Sequence, residues 1–136
     1  MPKVIPSEHQ EQVSYISWFK RQYPKYAKAI FSNPNGADIS GHSTKGLSIK
    51  TVKAIKMNKM KKEGFKPGVS DVQLTVSRGG YHGLWVEMKR SNGKEKDVSD
   101  DQAAHIELMR ELGHMADWAA GADEAIKITK KYMTLK

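Results

Sequence analysis

Gly68-Val69-Ser70-Asp71, followed after a short gap by Leu84-Trp85-Val86-Glu87-Met88-Lys89, decides how this chain is read. Asp71 opens the run Val72-Gln73-Leu74-Thr75-Val76, whose β-branched residues favour a strand. Arg78-Gly79-Gly80-Tyr81-His82-Gly83 supplies turn residues centred on the glycine pair. Leu84 to Lys89 reads as a second strand. The stretch therefore predicts an antiparallel hairpin folded about position 80, with Asp71 across from the Glu87–Lys89 end.

Directly opposed side chains have Cβ atoms roughly 4.5–5.5 Å apart. Glu87 and Lys89 share a face, because side chains alternate along a strand. Such a hairpin gathers two carboxylates and one ammonium group at a single point. Carboxylates that close repel unless a cation or a proton lies between them. A hard divalent ion such as Mg²⁺ takes oxygen ligands and keeps several waters beside one or two carboxylates. It can polarise a phosphoryl oxygen and lower the pKa of water. A lysine two residues beyond the second acid can orient that water, or offset charge building up on the phosphate. A surface hairpin with solvated charges has the same short pattern; the apolar flanks and the rest of the chain favour the site.

At 136 residues the chain has the length of one compact domain, read as spanning 1–136. It contains no run of roughly 18 apolar residues, so no transmembrane helix is expected. Met1-Pro2-Lys3-Val4-Ile5-Pro6 lacks the apolar core of a signal peptide. Cysteine is absent, which rules out disulfides and cysteine-ligated zinc and fits a reducing cytosol. A net charge of +8 and a pI near 9.6 favour a polyanionic partner, either nucleic acid or an acidic membrane surface, and of the two DNA is expected, with no membrane partner.

Ser7-Glu8-His9-Gln10 reads as a capping box opening a helix to about Gln22, before Pro24. At about 100° per residue, Glu8 and Gln12 share a face with Tyr15, Ile16 and Phe19, while Glu11 lies nearer the edge. An acid on that inward face needs a reason, since burying it unpaired is costly; interaction with the helix dipole is the simpler one. Ala29 to Ser32 predicts a short strand, Asn33-Pro34-Asn35-Gly36 a turn, and Ala37 to Gly46 a polar, mobile loop.

A second helix, roughly Leu47 to Glu63, is stopped by Gly64, with Val52, Ile55 and Met60 as a narrow apolar side. Lys50, Lys53, Lys56, Lys59, Lys61 and Lys62 cover most of the remainder, a face suited to phosphate backbones. Lys94 and Lys96 in the charged loop Ser91 to Val98, and Arg78 in the hairpin turn, join the candidate DNA contacts.

Ser99-Asp100-Asp101-Gln102 is another capping box, starting a helix that runs to Leu112 and stops at Gly113. Gln102, Ile106 and Met109 form its inward stripe, leaving Gln102 open to a capping role or a site role. Met115 to Ala120 predicts a strand. Ala122 to Tyr132 predicts a closing helix with Ala125, Ile126 and Tyr132 packing inward. His9, His42, His82, His105 and His114 lack paired metal-ligand spacing and read as ordinary surface or turn residues.

The order of these features resembles the small stand-alone VRR-NUC nucleases, a branch of the PD-(D/E)xK superfamily often encoded by bacteriophages. The resemblance covers nearly the whole chain. It runs through Ser7 to Gln12, Asn35-Gly36, Glu63 to Asp71, Gly79 to Lys89, Ser99 with Gln102, and Leu112-Gly113. Ser70 is a departure, because proline usually precedes the first acid; proline mainly stiffens the backbone, so Ser70 is expected to be tolerated.

The resemblance implies an α/β, restriction-endonuclease-like core, with a mixed central sheet and flanking helices in α-β-β-β-α-β order. It implies that Asp71 and Glu87 bind Mg²⁺ or Mn²⁺ with the backbone carbonyl of Met88, and that Lys89 positions the attacking water. Glu8, with Glu11 in reserve, would support the metal shell directly or through water, and Gln102 would hold the lysine or the scissile phosphate. It further implies a homodimeric, metal-dependent endonuclease resolving four-way (Holliday) junctions, in a host cytoplasm if phage-encoded. Nucleases of flap, nicked or plain duplex DNA, and a non-catalytic DNA-binding protein, are the alternatives.

Overall fold

Leu84–Lys89, the strand that carries the second acid and the lysine, lies inside a four-stranded sheet rather than at its edge. The computed structural model describes residues 4–33 and 46–136. In chain order the elements are α1 (Glu8–Gln22), β1 (Ile30–Ser32), α2 (Ile49–Lys62), β2 (Val72–Leu74), β3 (Leu84–Lys89), α3 (Asp100–Glu111), β4 (Met115–Ala120) and α4 (Gly121–Met133). The expected order is kept, with α2 set between β1 and β2 and α4 closing the chain. The sheet order is β1-β2-β3-β4; β2 pairs antiparallel with β1 and β3, and β3 pairs parallel with β4. The β3–β4 connection passes through α3, as a parallel pair requires.

A central strand covered on both faces is buried almost throughout, and β3 divides its residues between two destinations. Leu84, Val86 and Met88 enter an apolar core with Tyr15 and Phe19 of α1 and Ala122, Ala125 and Tyr132 of α4. The core's hydroxyls are satisfied: Tyr15 Oη lies 2.7 Å from Thr129 Oγ1, and Tyr132 Oη donates to the Val76 carbonyl at 2.6 Å. Truncating a ring such as Phe19 to alanine in a core of this kind costs about 3–5 kcal/mol. Trp85, Glu87 and Lys89 point the other way: Trp85 packs on His105 of α3, and Lys89 bonds Gln102 of the same helix. Core and site share one strand by alternation.

The predicted boundaries hold closely at the capped helices. Ser7 and Ser99 each form a complete capping box, with Gln10 and Gln102 respectively. Ser48 caps α2, and Gly64 and Gly113 follow α2 and α3 with φ of +105° and +92°. The strand expected to reach Val76 stops at Leu74, although the Thr75 N–H still donates to the Ala29 carbonyl in line with the β1–β2 register. The hairpin closes separately at an Arg78–Tyr81 bridge. There Gly79 and Gly80 take φ of +59° and +83°, the two positive values a tight primed turn requires. Ile55, expected on the apolar side of α2, is 54% exposed; Val52 is the buried residue of that helix. The Asn35-Gly36 turn, most of the predicted polar loop and His42 lie outside the described residues. Among the described residues no helix is long and apolar enough to cross a membrane.

Candidate active site

The β2–β3 register pairs Val72 with Val86, and continuing it by one residue sets Asp71 opposite Glu87. Asp71 Oδ2 accepts a 2.7 Å hydrogen bond from the Met88 N–H, which ties the acid to the strand that holds its partner. In an antiparallel pair a residue's N–H and C=O face the same neighbour, so the Met88 carbonyl faces the Asp71 side as well. Glu87 is 2% exposed, and its Oε2 is buried without a hydrogen-bond partner. Its Oε1 lies 3.8 Å from Lys89 Nζ.

These arrangements are costly on their own. Burial first, and then the charge of Asp71, push the Glu87 carboxyl up to about 8, against the pull of Lys89. Asp71 is raised too, chiefly by burial and further by Glu8, while the Met88 N–H and Lys89 oppose the shift. A buried carboxylate oxygen without a donor, beside a second carboxylate, is the environment a cation relieves. Asp71 and Glu87 therefore fit a hard divalent ion, which needs only one or two protein carboxylates beside its waters. Among the described residues no three His, Cys, Asp or Glu side chains group as a metal cluster, so the fit rests on this pair.

Lys89 Nζ donates to Gln102 Oε1 at 3.0 Å, and the same oxygen accepts the Ser99 N–H at 2.9 Å. The capping role and the site role of Gln102 coincide in one atom. Glu8 stands at the start of α1, and its charge acts on both Asp71 and Glu87. Glu11 points elsewhere: its Oε2 lies 2.5 Å from where a Cβ on Gly121 would stand, at the N-terminus of α4. Glu8 is thus the first-helix acid that reaches the pair electrostatically.

The basic residues divide. Lys50, Lys53, Lys56 and Lys59 are exposed along α2, and Lys94 and Lys96 are exposed in the loop that follows β3. Arg78 sits at the hairpin tip, the end of β3 away from Glu87, where it donates to Tyr26 Oη at 3.3 Å and to the Ser77 carbonyl at 2.9 Å. The fold does not bring it to the acids.

Sequence reasoning missed several neighbours. Asn33 Nδ2 donates to the Ser70 carbonyl at 3.1 Å, and its N–H donates to the Asp71 carbonyl at 2.8 Å. Arg90 donates to the carbonyls of Ile5 and Pro6, at 2.8 and 3.2 Å, strapping the chain just before the α1 cap. Two histidines read as surface residues are half-buried instead. The His105 ring packs edge-on against Trp85 with its Nδ1 facing Ser70, and His114 packs on Trp85 and His82. His82 turns from the tip towards His114 and Gly113. No spacing rule marks such contacts, because each joins segments far apart in the chain.

No protein-family model matches the chain, and no curated protein gives a significant match. A solved structure described as "VRR_NUC domain protein" superposes with a TM-score of 0.74 at 26% identity, covering 98% of this chain and 93% of that one. A likeness of that extent agrees with the four-stranded mixed sheet and its flanking helices. The chain is thus similar over nearly its whole length to a VRR-NUC domain protein, and its mixed α/β fold is consistent with the PD-(D/E)xK-like fold of that nuclease-type domain.

Proposed function

We propose that this chain, as a single domain across residues 1–136, is a metal-dependent, structure-selective DNA endonuclease. It hydrolyses phosphodiester bonds and resolves four-way junctions as a homodimer in the cytoplasm. The observation that carries the chemistry is the Asp71–Glu87 pair, with a buried, unpartnered Glu87 oxygen beside Lys89. Asp71, Glu87 and the Met88 carbonyl would hold Mg²⁺ or Mn²⁺, with Glu8 acting through its charge or through water. A bound ion of that kind polarises a phosphoryl oxygen and makes water more acidic.

Lys89, steadied by Gln102, orients the water that attacks phosphorus and offsets charge gathering on the phosphate. The water oxygen bonds to phosphorus, the bond to the leaving sugar oxygen breaks, and that oxygen takes up a proton. The lysines of α2 with Lys94 and Lys96 hold phosphates, giving affinity with little sequence information. A two-fold dimer presents two such sites to a two-fold junction, and the dimer rests on the family resemblance.

The test is cleavage of a labelled four-way junction against matched linear duplex, with Mg²⁺, Mn²⁺ or EDTA. Metal-dependent, symmetric nicking of the junction alone is the expected result. Cutting of both substrates keeps the nuclease and replaces its target with flap, nicked or plain duplex DNA. Tight binding without cutting under either metal makes the chain a non-catalytic DNA-binding protein.

A further inference from the structure

Asp71 is the last residue of a loop, yet its carboxylate must stand at one place relative to β3. That loop is docked on α3. Gly68, at φ +85°, lies so close that a Cβ there would come within 2.6 Å of the Asp101 backbone. Two residues on, Ser70 is fully buried, with its N–H 3.3 Å and its Oγ 3.1 Å from His105 Nδ1. The N–H can only donate, so Nδ1 accepts and the ring proton sits on Nε2. The Trp85 indole, 5.0 Å away at 75°, packs against the imidazole. His105 follows Gln102 by one helical turn and so shares its face. One side of α3 thus grips Lys89 through Gln102 and the loop before Asp71 through His105.

Resting on the nuclease reading above, we propose that His105 is a positioning residue: through Ser70 it fixes Asp71 against Glu87 and Lys89, and α3 is the bracket that sets the shape of the metal site. His105 touches neither metal nor substrate. Asn33 completes the hold from the opposite side by donating to both carbonyls, of Ser70 and Asp71. Where proline stiffens a backbone by its ring, Ser70 offers an N–H and a hydroxyl to an acceptor fixed on a helix.

The experiment is Mn²⁺ affinity by calorimetry, without DNA, on the parent, His105→Ala, His105→Asn, His105→Leu, Ser70→Ala and the His105→Ala/Ser70→Ala double variant. Partners one shell out from a metal are typically worth 10- to 100-fold in affinity, so His105→Ala should bind Mn²⁺ about 10-fold more weakly. His105→Asn, which keeps an acceptor near the Nδ1 position, should recover most of that. The double variant should be no weaker than His105→Ala alone, because Ser70→Ala removes only one of the two donors to the nitrogen that His105→Ala deletes outright. Parent-like affinity in His105→Ala overturns the proposal. So does a loss in His105→Asn as large as in alanine, which means packing, or a double variant whose losses add. If His105→Ala does not fold, His105→Asn and His105→Leu decide: the asparagine should stay near the parent while the leucine, which keeps bulk and lacks the acceptor, falls about 10-fold, and a parent-like His105→Leu overturns the idea. A parent that binds no Mn²⁺ sinks the metal-nuclease reading itself, and this inference with it.

Discussion

Gln102 Oε1 stands 3.0 Å from Lys89 Nζ while it also closes the capping box of α3, so one oxygen serves both the stability of a helix and the placement of the site lysine. The two duties separate by mutation. Ser99→Ala removes only the cap and should cost about 1 kcal/mol of stability, with cleavage unchanged. Gln102→Ala should lose a similar amount and also slow cleavage. Urea unfolding and single-turnover rates check both, and equal rates in the two variants would remove Gln102 from the site.

The Glu87 carboxyl, pushed up to about 8 in the fold, makes the metal-free protein sensitive to pH. The folded chain keeps a proton that the unfolded chain releases near 4.5. That contribution to stability is complete below 4.5 and is lost as pH rises through about 8. In EDTA the melting temperature should therefore fall between pH 5 and pH 9, and Glu87→Gln should flatten the fall. A parent and variant with parallel pH profiles would contradict the burial of this charge.

Glu87→Ala should abolish cutting while leaving metal-free DNA binding largely intact. Appreciable residual cleavage, measured over long incubations with Mn²⁺, would strip Glu87 of its assigned role.

The two first-helix acids should behave differently. Glu8→Gln removes a charge that acts on Asp71 and Glu87, so it should weaken Mn²⁺ affinity and slow cleavage. Glu11→Gln changes a carboxylate that lies over Gly121 and should leave the cleavage rate near that of the parent. The reverse order of effects would move the site acid to Glu11.

Removing a lysine that neutralises one phosphate should lower the slope of log affinity against log salt by about 0.9 for duplex DNA. Lys53→Ala and Lys56→Ala test α2 in this way, and Arg78→Ala tests the hairpin tip. Unchanged slopes in both lysine variants would take α2 out of the interface.

Much of this architecture is written in local signals. Ser7 with Gln10 and Ser99 with Gln102 fix helix starts, because an N-cap and its third helical residue satisfy each other's backbone. Gly79-Gly80 fixes the hairpin turn, and strand alternation puts Glu87 and Lys89 on one face. The Asp71–Glu87 juxtaposition needs one thing more: the turn pairs Arg78 with Tyr81, a register that would set Asp71 opposite Met88, and the ladder from Val72–Val86 is shifted by one residue, which brings Glu87 there instead. Illegible were the contacts that depend on tertiary folding, such as His105 on Ser70, Asn33 on Ser70 and Asp71, and Arg90 on Ile5 and Pro6. Ile55 misleads for a related reason: an apolar letter on a helix predicts burial only where another element comes to cover it. The early end of β2 at Leu74 carries no local signal, since Thr75 and Val76 have the same strand propensity as the residues before them.

The division of β3 between two faces has a consequence for how such a domain could change. Its core letters, Leu84, Val86 and Met88, are independent of Glu87 and Lys89, which stand buried on the opposite side. Replacing a buried ion pair with well-packed apolar residues of similar volume is often neutral or stabilising. A descendant that exchanged both charges for such residues could keep its shape and its basic surface, and gain firmness. Folding alone gives this chain no motive to keep the pair; the proposed chemistry gives it one.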